Sequence, residues 1–203
     1  PLILKSDGKG KMSKRDAGAL IETYRDQHFL PEAVLNYIAL LGWNPKDNAE
    51  IFSLDEMVNR FGFDGINSAG ARFDEQKMAH FNAEHIRRLP LDKLQALAKP
   101  CLSAAGINTD EIFLGKVLSL CQEKLSSIEG LSDFVSYFFT DAFEIDPKVL
   151  KKVSKKGDIK EMLEELFTAF ETLQSFETET LQSAIEAAAQ SAARKKFDYF
   201  PLI

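Results

Sequence analysis

The chain has 203 residues, 45% of them hydrophobic, with a net charge of −6 and two cysteines. This is a globular composition, long enough for one large or two modest domains, and it excludes a disordered tail. No apolar run approaches the roughly 20 residues of a bilayer crossing, and no leader-like segment opens the chain, so neither membrane nor secretion is signalled. Cys101 and Cys121 lack a CxxC partner and a nearby histidine, which points away from zinc and disulfides and suits a reducing cytoplasm. Both ends, Pro1 and Ile203, read as cuts. The acidic sum argues against a uniformly basic nucleic-acid surface, but its distribution is uneven. Lys5, Lys9, Lys11, Lys14 and Arg15 face only Asp7 in the first fifteen residues, and Lys148, Lys151, Lys152, Lys155 and Lys156 form a second cluster.

In chain order, Pro1-Leu2-Ile3-Leu4 reads as a short strand, the one strand expected, and Ser6 to Gly10 as a glycine-rich turn. A helix follows from Ala17 through Leu20, Ile21 and Tyr24. Pro31 marks the next helix start, with Val34, Leu35, Ile38 and Leu41 as its core face and Gly42 as its end. Ser53 and Glu56 form a capping-box pattern ahead of Leu54, Met57, Val58 and Phe61. Residues 62 to 72 read as a loop. Asp74 caps a helix through Met78 and Phe81, and Leu89-Pro90-Leu91 interrupts the chain before a helix through Leu94 and Leu97.

Downstream, three apolar stripes predict a helical bundle or superhelix. They are Leu114, Leu118, Cys121 and Leu125; then Ile159, Met162, Leu163, Leu166, Phe167, Phe170 and Leu173; then Leu181, Ile185, Ala188 and Ala192. The five lysines from Lys148 have a spacing that puts them on one helical face ended by Gly157. The fold class is therefore mainly α, with a short β segment and a loop at the start. His28, His80 and His85 have no metal-ligand spacing, so no metal site is expected.

The pentapeptide Lys11-Met12-Ser13-Lys14-Arg15 sits between a glycine-flanked turn and a helix, where mobile cations can meet a triphosphate and stabilise shifting charge. Its residue order resembles the KMSKS-type signature of class I aminoacyl-tRNA synthetases. The surrounding text is similar to the bacterial-type glutamyl-tRNA synthetases. Phe29-Leu30-Pro31-Glu32-Ala33-Val34-Leu35-Asn36-Tyr37-Ile38-Ala39-Leu40-Leu41-Gly42-Trp43 carries the resemblance, as do Phe73-Asp74-Glu75-Gln76-Lys77-Met78 and Asn82-Ala83-Glu84-His85-Ile86. His28 stands where glycine is usual, His80 and Phe81 fill the tryptophan region, and His85 replaces a tyrosine. The likeness is specific over residues 1 to 88 and looser beyond.

The resemblance implies that Lys14 contacts ATP phosphates while Lys11, Met12, Ser13 and Arg15 complete the catalytic loop. It implies three parts: the end of a catalytic domain at 1–15, a helical stem-contact domain at 16–88, and a truncated anticodon-binding helical domain at 91–203. Arg72, Arg87, Arg88 and Lys116 are candidate tRNA contacts. The complete enzyme would use ATP with Mg2+ and L-glutamate to charge tRNA(Glu), as a cytoplasmic monomer. With no H-x-G-H motif and no Rossmann pattern, this chain would bind tRNA weakly, need no cofactor, and show no aminoacylation. Its loop would be disordered or loosely placed without a partner half, with Lys14 inactive. A glutaminyl-type or archaeal-type relative, with β-barrels downstream, a truncated paralogue that modifies a tRNA base, and a helical scaffold without an RNA role are the alternatives.

Overall fold

A computed structural model describes residues 2–16, 18–140 and 147–202. The chain divides into two compact units, Pro1–Ala142 and Phe143–Ile203. Among the described residues the fold is mainly helical, as its apolar periodicity predicts.

The first unit opens with β1 (Ile3–Leu4), which pairs in parallel with β2 (Ala71–Arg72), Ile3 beside Ala71 and Leu4 beside Arg72. β2 lies inside the stretch expected to be loop. Two residues are too few to show alternation, and their partner is almost seventy positions away. The first helix, α1 (Ile21–Asp26), starts later than expected, because Gly18 takes φ +77 and interrupts the chain first. Only its Tyr24 is buried; Leu20 and Ile21 face solvent.

At the end of α1, His28 adopts φ 57, and the Phe29 N–H returns to the Tyr24 carbonyl at 2.8 Å. This is a left-handed helix stop, a conformation that disfavours any residue with a Cβ. The physical requirement matches the glycine that the resembling family prefers.

Next, α2 (Pro31–Gly42) presents a different face from the one expected. Val34 and Tyr37 are buried, but Leu35 and Ile38 are 45% and 43% exposed, while Asn36 is fully buried. The cause is the backbone of residues 50–52. Asn36 Oδ1 accepts from the Phe52 N–H at 2.9 Å, and its Nδ2 donates to the Glu50 carbonyl at 3.0 Å. Satisfying that irregular backbone turns the helix away from its most apolar orientation. Then α3 (Leu54–Arg60) starts at the expected capping box, with the Glu56 N–H donating to Ser53 Oγ and the Ser53 N–H to Glu56 Oε2. Met57 is its buried residue; Leu54, Val58 and Phe61 are exposed.

At the centre lies α4 (Glu75–Arg88), capped by Asp74 as expected, whose carboxylate accepts from the Gln76 and Lys77 N–H groups. Met78 and Phe81 join Tyr24, Val34, Tyr37 and Phe73 in one core. Tyr37 meets Phe73 and Phe81 edge-on at 5.3 and 5.6 Å. Ile86, further along, belongs to a second core with Leu94, Leu102, Leu114, Leu118 and Leu131. That core is built from α5 (Leu91–Ala104), α6 (Glu111–Cys121) and α7 (Leu131–Val135). The helix face of α5 is Leu94, Ala98 and Leu102; the expected Leu97 is exposed. The stripe Leu114, Leu118, Cys121 and Leu125 is buried as expected.

Proline ends α4, yet packing continues across Leu89-Pro90. Gln122 Nε2 donates to the carbonyls of Ile86 and Leu89 at 2.9 and 2.7 Å, so a downstream side chain completes the last turn of α4. Asn82, fully buried, accepts from the Leu30 N–H at 2.9 Å and donates to the Ser126 carbonyl at 3.3 Å.

The second unit contains α8 (Pro147–Val153), α9 (Ile159–Glu171), α10 (Thr178–Ser191) and α11 (Lys196–Tyr199). Met162, Leu166, Ile185, Ala189 and Tyr199 form its core. Leu163 and Phe167, expected in the same stripe, lie 45% and 67% exposed on a groove. The five lysines do not share one helical face. α8 stops at Val153, where the Lys156 N–H closes a turn on the Val153 carbonyl at 2.7 Å, leaving Lys155 and Lys156 outside the helix. Lys156 pairs with Asp198 at 3.1 Å.

His28→Gly is expected to raise the unfolding free energy by about 0.5–1 kcal/mol, because relief of the left-handed strain exceeds the entropy that glycine adds to the unfolded chain. Urea denaturation measures it, and a loss of stability contradicts it. His85 is half-buried with Nε2 3.0 Å from Asn36 Oδ1; burial first, then the Arg88 charge, pushes its pKa below the ordinary 6.5. Between the depressed and ordinary values the unfolded chain binds a proton that the folded chain does not. Stability should therefore fall as pH drops through about 6.5, by at most about 1.4 kcal/mol per unit, and level off below the native pKa. His85→Gln should remove that slope in denaturation measured from pH 7.5 to 5.

Candidate functional site

The lysine-rich loop is a built element. Lys11 bridges Leu4 in antiparallel register, the Met12 N–H donates to the Ile3 carbonyl at 2.9 Å, and the Lys5 N–H donates to the Gly10 carbonyl at 3.1 Å. Gly8 and Gly10 take φ +73 and +99, which lets the chain reverse between those bonds. Asp7 Oδ1 accepts from the Lys9 N–H at 2.8 Å. Met12 packs half-buried against the Tyr24 and Phe73 core. The expectation of a loosely placed loop is corrected: its backbone bonds run to β1 and its methionine is seated on the helical body.

Beyond Met12 the chain turns on Asp16. One carboxylate oxygen accepts from the Ser13 N–H at 2.7 Å, and the other pairs with Lys5 Nζ at 3.0 Å. The Ser13 backbone bond, followed by Lys5, holds the Asp16 carboxyl below the usual carboxylate range. Gly18 then lies against Tyr24, whose hydroxyl donates to the Gly18 carbonyl at 3.1 Å. A Cβ at Gly18 would meet Tyr24 Oη at 2.6 Å and the Phe73 ring at 2.9 Å. Burial, with Glu75 nearby, pushes the Tyr24 phenol up to about 12, so it remains a donor at neutral pH.

This arrangement leaves the side chains of Lys9, Lys11, Lys14 and Arg15 exposed and without an ion pair among the described residues. The register adds a fifth cation. Leu4 has Lys11 on one side and Arg72 on the other, so two exposed cations flank a single strand position at about 10 Å apart. The register thus brings Arg72 beside Lys11, in a segment that also carries Lys9, Lys14 and Arg15, and concentrates positive charge there.

The other candidate contacts divide. Arg87 pairs with Glu84, and its Nε donates to the Glu123 carbonyl at 2.9 Å. Arg88 Nη1 donates to the Ile51 carbonyl at 3.2 Å. Both arginines therefore hold the α4 terminus together. Lys116 is exposed on the second turn of α6 without an ion pair among the described residues. No group of three or more potential metal-ligating side chains occurs among the described residues. Lys5 was read as one of the basic group but not as the partner of Asp16, and neither Asp16 nor Phe73 was given a part in the loop. The signal for Asp16 was its place three residues after Ser13, the spacing of a side chain that closes a turn on a backbone N–H. For Phe73 there was none.

Residues 2–80 match the family described as tRNA synthetases class I (E and Q), catalytic domain, and residues 93–203 match the anticodon binding domain family. A glutamate–tRNA ligase of Methylacidiphilum infernorum is 37% identical over 203 residues, covering 98% of this chain and 45% of the relative. One from Akkermansia muciniphila is 40% identical over 157 residues, covering 77% and 35%. The chain belongs to the glutamate–tRNA ligase family. The crystal structure of a glutamate–tRNA ligase from Elizabethkingia meningosepticum, solved in complex with its amino acid, superposes with a TM-score of 0.82. It is 28% identical, and the match covers 98% of this chain and 43% of that one. The chain thus spans less than half the length of these relatives.

Membership in the glutamate–tRNA ligase family accounts for the helical second half. From residue 91 onward the described residues contain helices and turns and no strand, unlike the β-barrel arrangement of the glutaminyl-type alternative. The tryptophan region is filled by Phe81, fully buried, while His80 faces solvent.

Proposed function

We propose that this chain is the part of a glutamate–tRNA ligase that carries the KMSKS-type loop and the helices that meet tRNA. In the whole protein, glutamate is joined to tRNA(Glu) through an adenylate made from ATP. The carrying observation is the pair Lys11 and Arg72 on either side of Leu4, both exposed, in a chain whose two halves match the two synthetase families. Lys14 would hold the ATP phosphates, with Lys11 and Arg15 adding charge and Met12 and Ser13 fixing the loop. ATP supplies the activated phosphate; the residues of this chain bind and orient it and accept no proton. None of them is assigned to magnesium.

On this reading residues 1–15 close the catalytic domain, residues 16–88 contact the tRNA stem, and residues 91–203 begin the anticodon-binding region. Arg72 and Lys116 are the stronger phosphate contacts, since Arg87 and Arg88 already bond the protein's own backbone. The whole enzyme would act as a cytoplasmic monomer. No helix among the described residues is long and apolar enough to cross a membrane.

The chain should bind a tRNA(Glu) transcript weakly, with affinity falling steeply between about 50 and 200 mM salt. Arg72→Ala and Lys116→Ala should each lower the log–log salt slope by about one. Glutamate-dependent pyrophosphate exchange should be absent. Salt-independent or undetectable tRNA binding, or exchange activity from this chain alone, contradicts the proposal.

A further inference from the structure

We propose that Asp16 is the positioning residue of the lysine-rich loop: its carboxylate clamps the Ser13 backbone and Lys5 together and so sets the shape in which Lys11, Lys14 and Arg15 meet phosphate. The inference rests on the phosphate-binding reading of that loop. Its geometry has three independent parts. First, the carboxylate is divided, one oxygen 2.7 Å from the Ser13 nitrogen and the other 3.0 Å from Lys5 Nζ. Second, the Asp16 N–H returns to the Ser13 carbonyl at 3.0 Å, and the Arg15 N–H donates to Ser13 Oγ at 3.3 Å, so Ser13 is held through its N–H, its carbonyl and its hydroxyl. Third, Lys5 directly follows β1, so the clamp fastens the far end of the loop to the strand that carries its near end. Asp16, Lys5, Met12 and Phe73 also line a pocket of about 170 Å3.

This clamp is unusual in its electrostatic sense. A carboxylate beside a phosphate-binding loop opposes the ligand by charge alone, so its removal should strengthen anion binding if charge were its only effect. Positioning predicts the opposite sign. With the carboxylate gone, Ser13 loses a charge-assisted hydrogen bond, the three cations lose their common frame, and each must be ordered again on binding.

The test uses the 203-residue chain, inorganic tripolyphosphate as the probe, and amide hydrogen exchange as the second readout. Asp16→Ala is expected to speed exchange at the Ser13 amide by about tenfold or more, leave exchange across residues 31–42 unchanged, and weaken tripolyphosphate binding several-fold. Asp16→Glu should recover part of both effects, and the exchange Lys5→Asp with Asp16→Lys should recover neither, since a lysine cannot accept from the Ser13 N–H. Unchanged Ser13 exchange, or tighter tripolyphosphate binding by Asp16→Ala, overturns the role of Asp16 while leaving the loop's phosphate reading standing. If the unsubstituted chain binds no tripolyphosphate at low salt although Ser13 exchange responds, the phosphate reading itself fails, and the positioning role falls with it.

Discussion

The first unit depends on the backbone of two residues, Ile3 and Leu4, being used on both edges. On one edge they receive the Met12 N–H and the Lys11 bridge; on the other they pair with Ala71 and Arg72, and the Leu4 carbonyl accepts from the Phe73 N–H at 3.0 Å. A pair of two-residue strands is marginal by itself in water. Here it is fixed from below, because Phe73 follows β2 directly and is buried against Tyr24 and Tyr37. Tyr37 adds a second tie, its hydroxyl accepting from the Asp74 N–H at 2.7 Å. The basic loop is thereby joined to the helical body through hydrogen bonds and a shared core rather than through a free linker.

The helical body is organised by two buried amides, Asn36 and Asn82, and a partly buried one, Gln122, as much as by apolar stripes. Asn36, Asn82 and Gln122 each bond backbone groups far away in sequence: the 50–52 segment, the start of α2 with Ser126, and the end of α4. Leaving a fully buried amide unpaired would cost about 1–3 kcal/mol, and in α2 that requirement fixes an orientation that hydrophobicity alone would choose differently. This is why Asn36 lies inside while Leu35 and Ile38 lie outside. It is also why the break at Pro90 does not interrupt packing.

Elements governed by local chemistry were legible in sequence. The capping box at Ser53, the Asp74 cap, the proline that starts α2 and the Leu114 stripe all follow from contacts within a few residues. What depended on distant partners was not legible: β2, the face of α2, and the seating of the loop by Met12 on Phe73. The lysine cluster misled because periodicity assumes that the helix continues, whereas α8 ends at Val153. At the site, the cations were readable from their order, while Asp16 was hidden by being one acid after a run of bases. His28 was readable as a departure from the glycine that the resemblance implies there, and its positive φ gives the physical reason a glycine would suit.

The KMSKS-type loop is held by β1 and by the Tyr24 and Phe73 core of the first unit. Amide exchange at Met12 and Phe73 tests it most directly, since those two N–H groups donate to the carbonyls of Ile3 and Leu4 from opposite edges of the strand. Both should exchange about a hundredfold or more slower than in an unstructured peptide. Exchange of Met12 at the unstructured rate, with Phe73 protected, would contradict it.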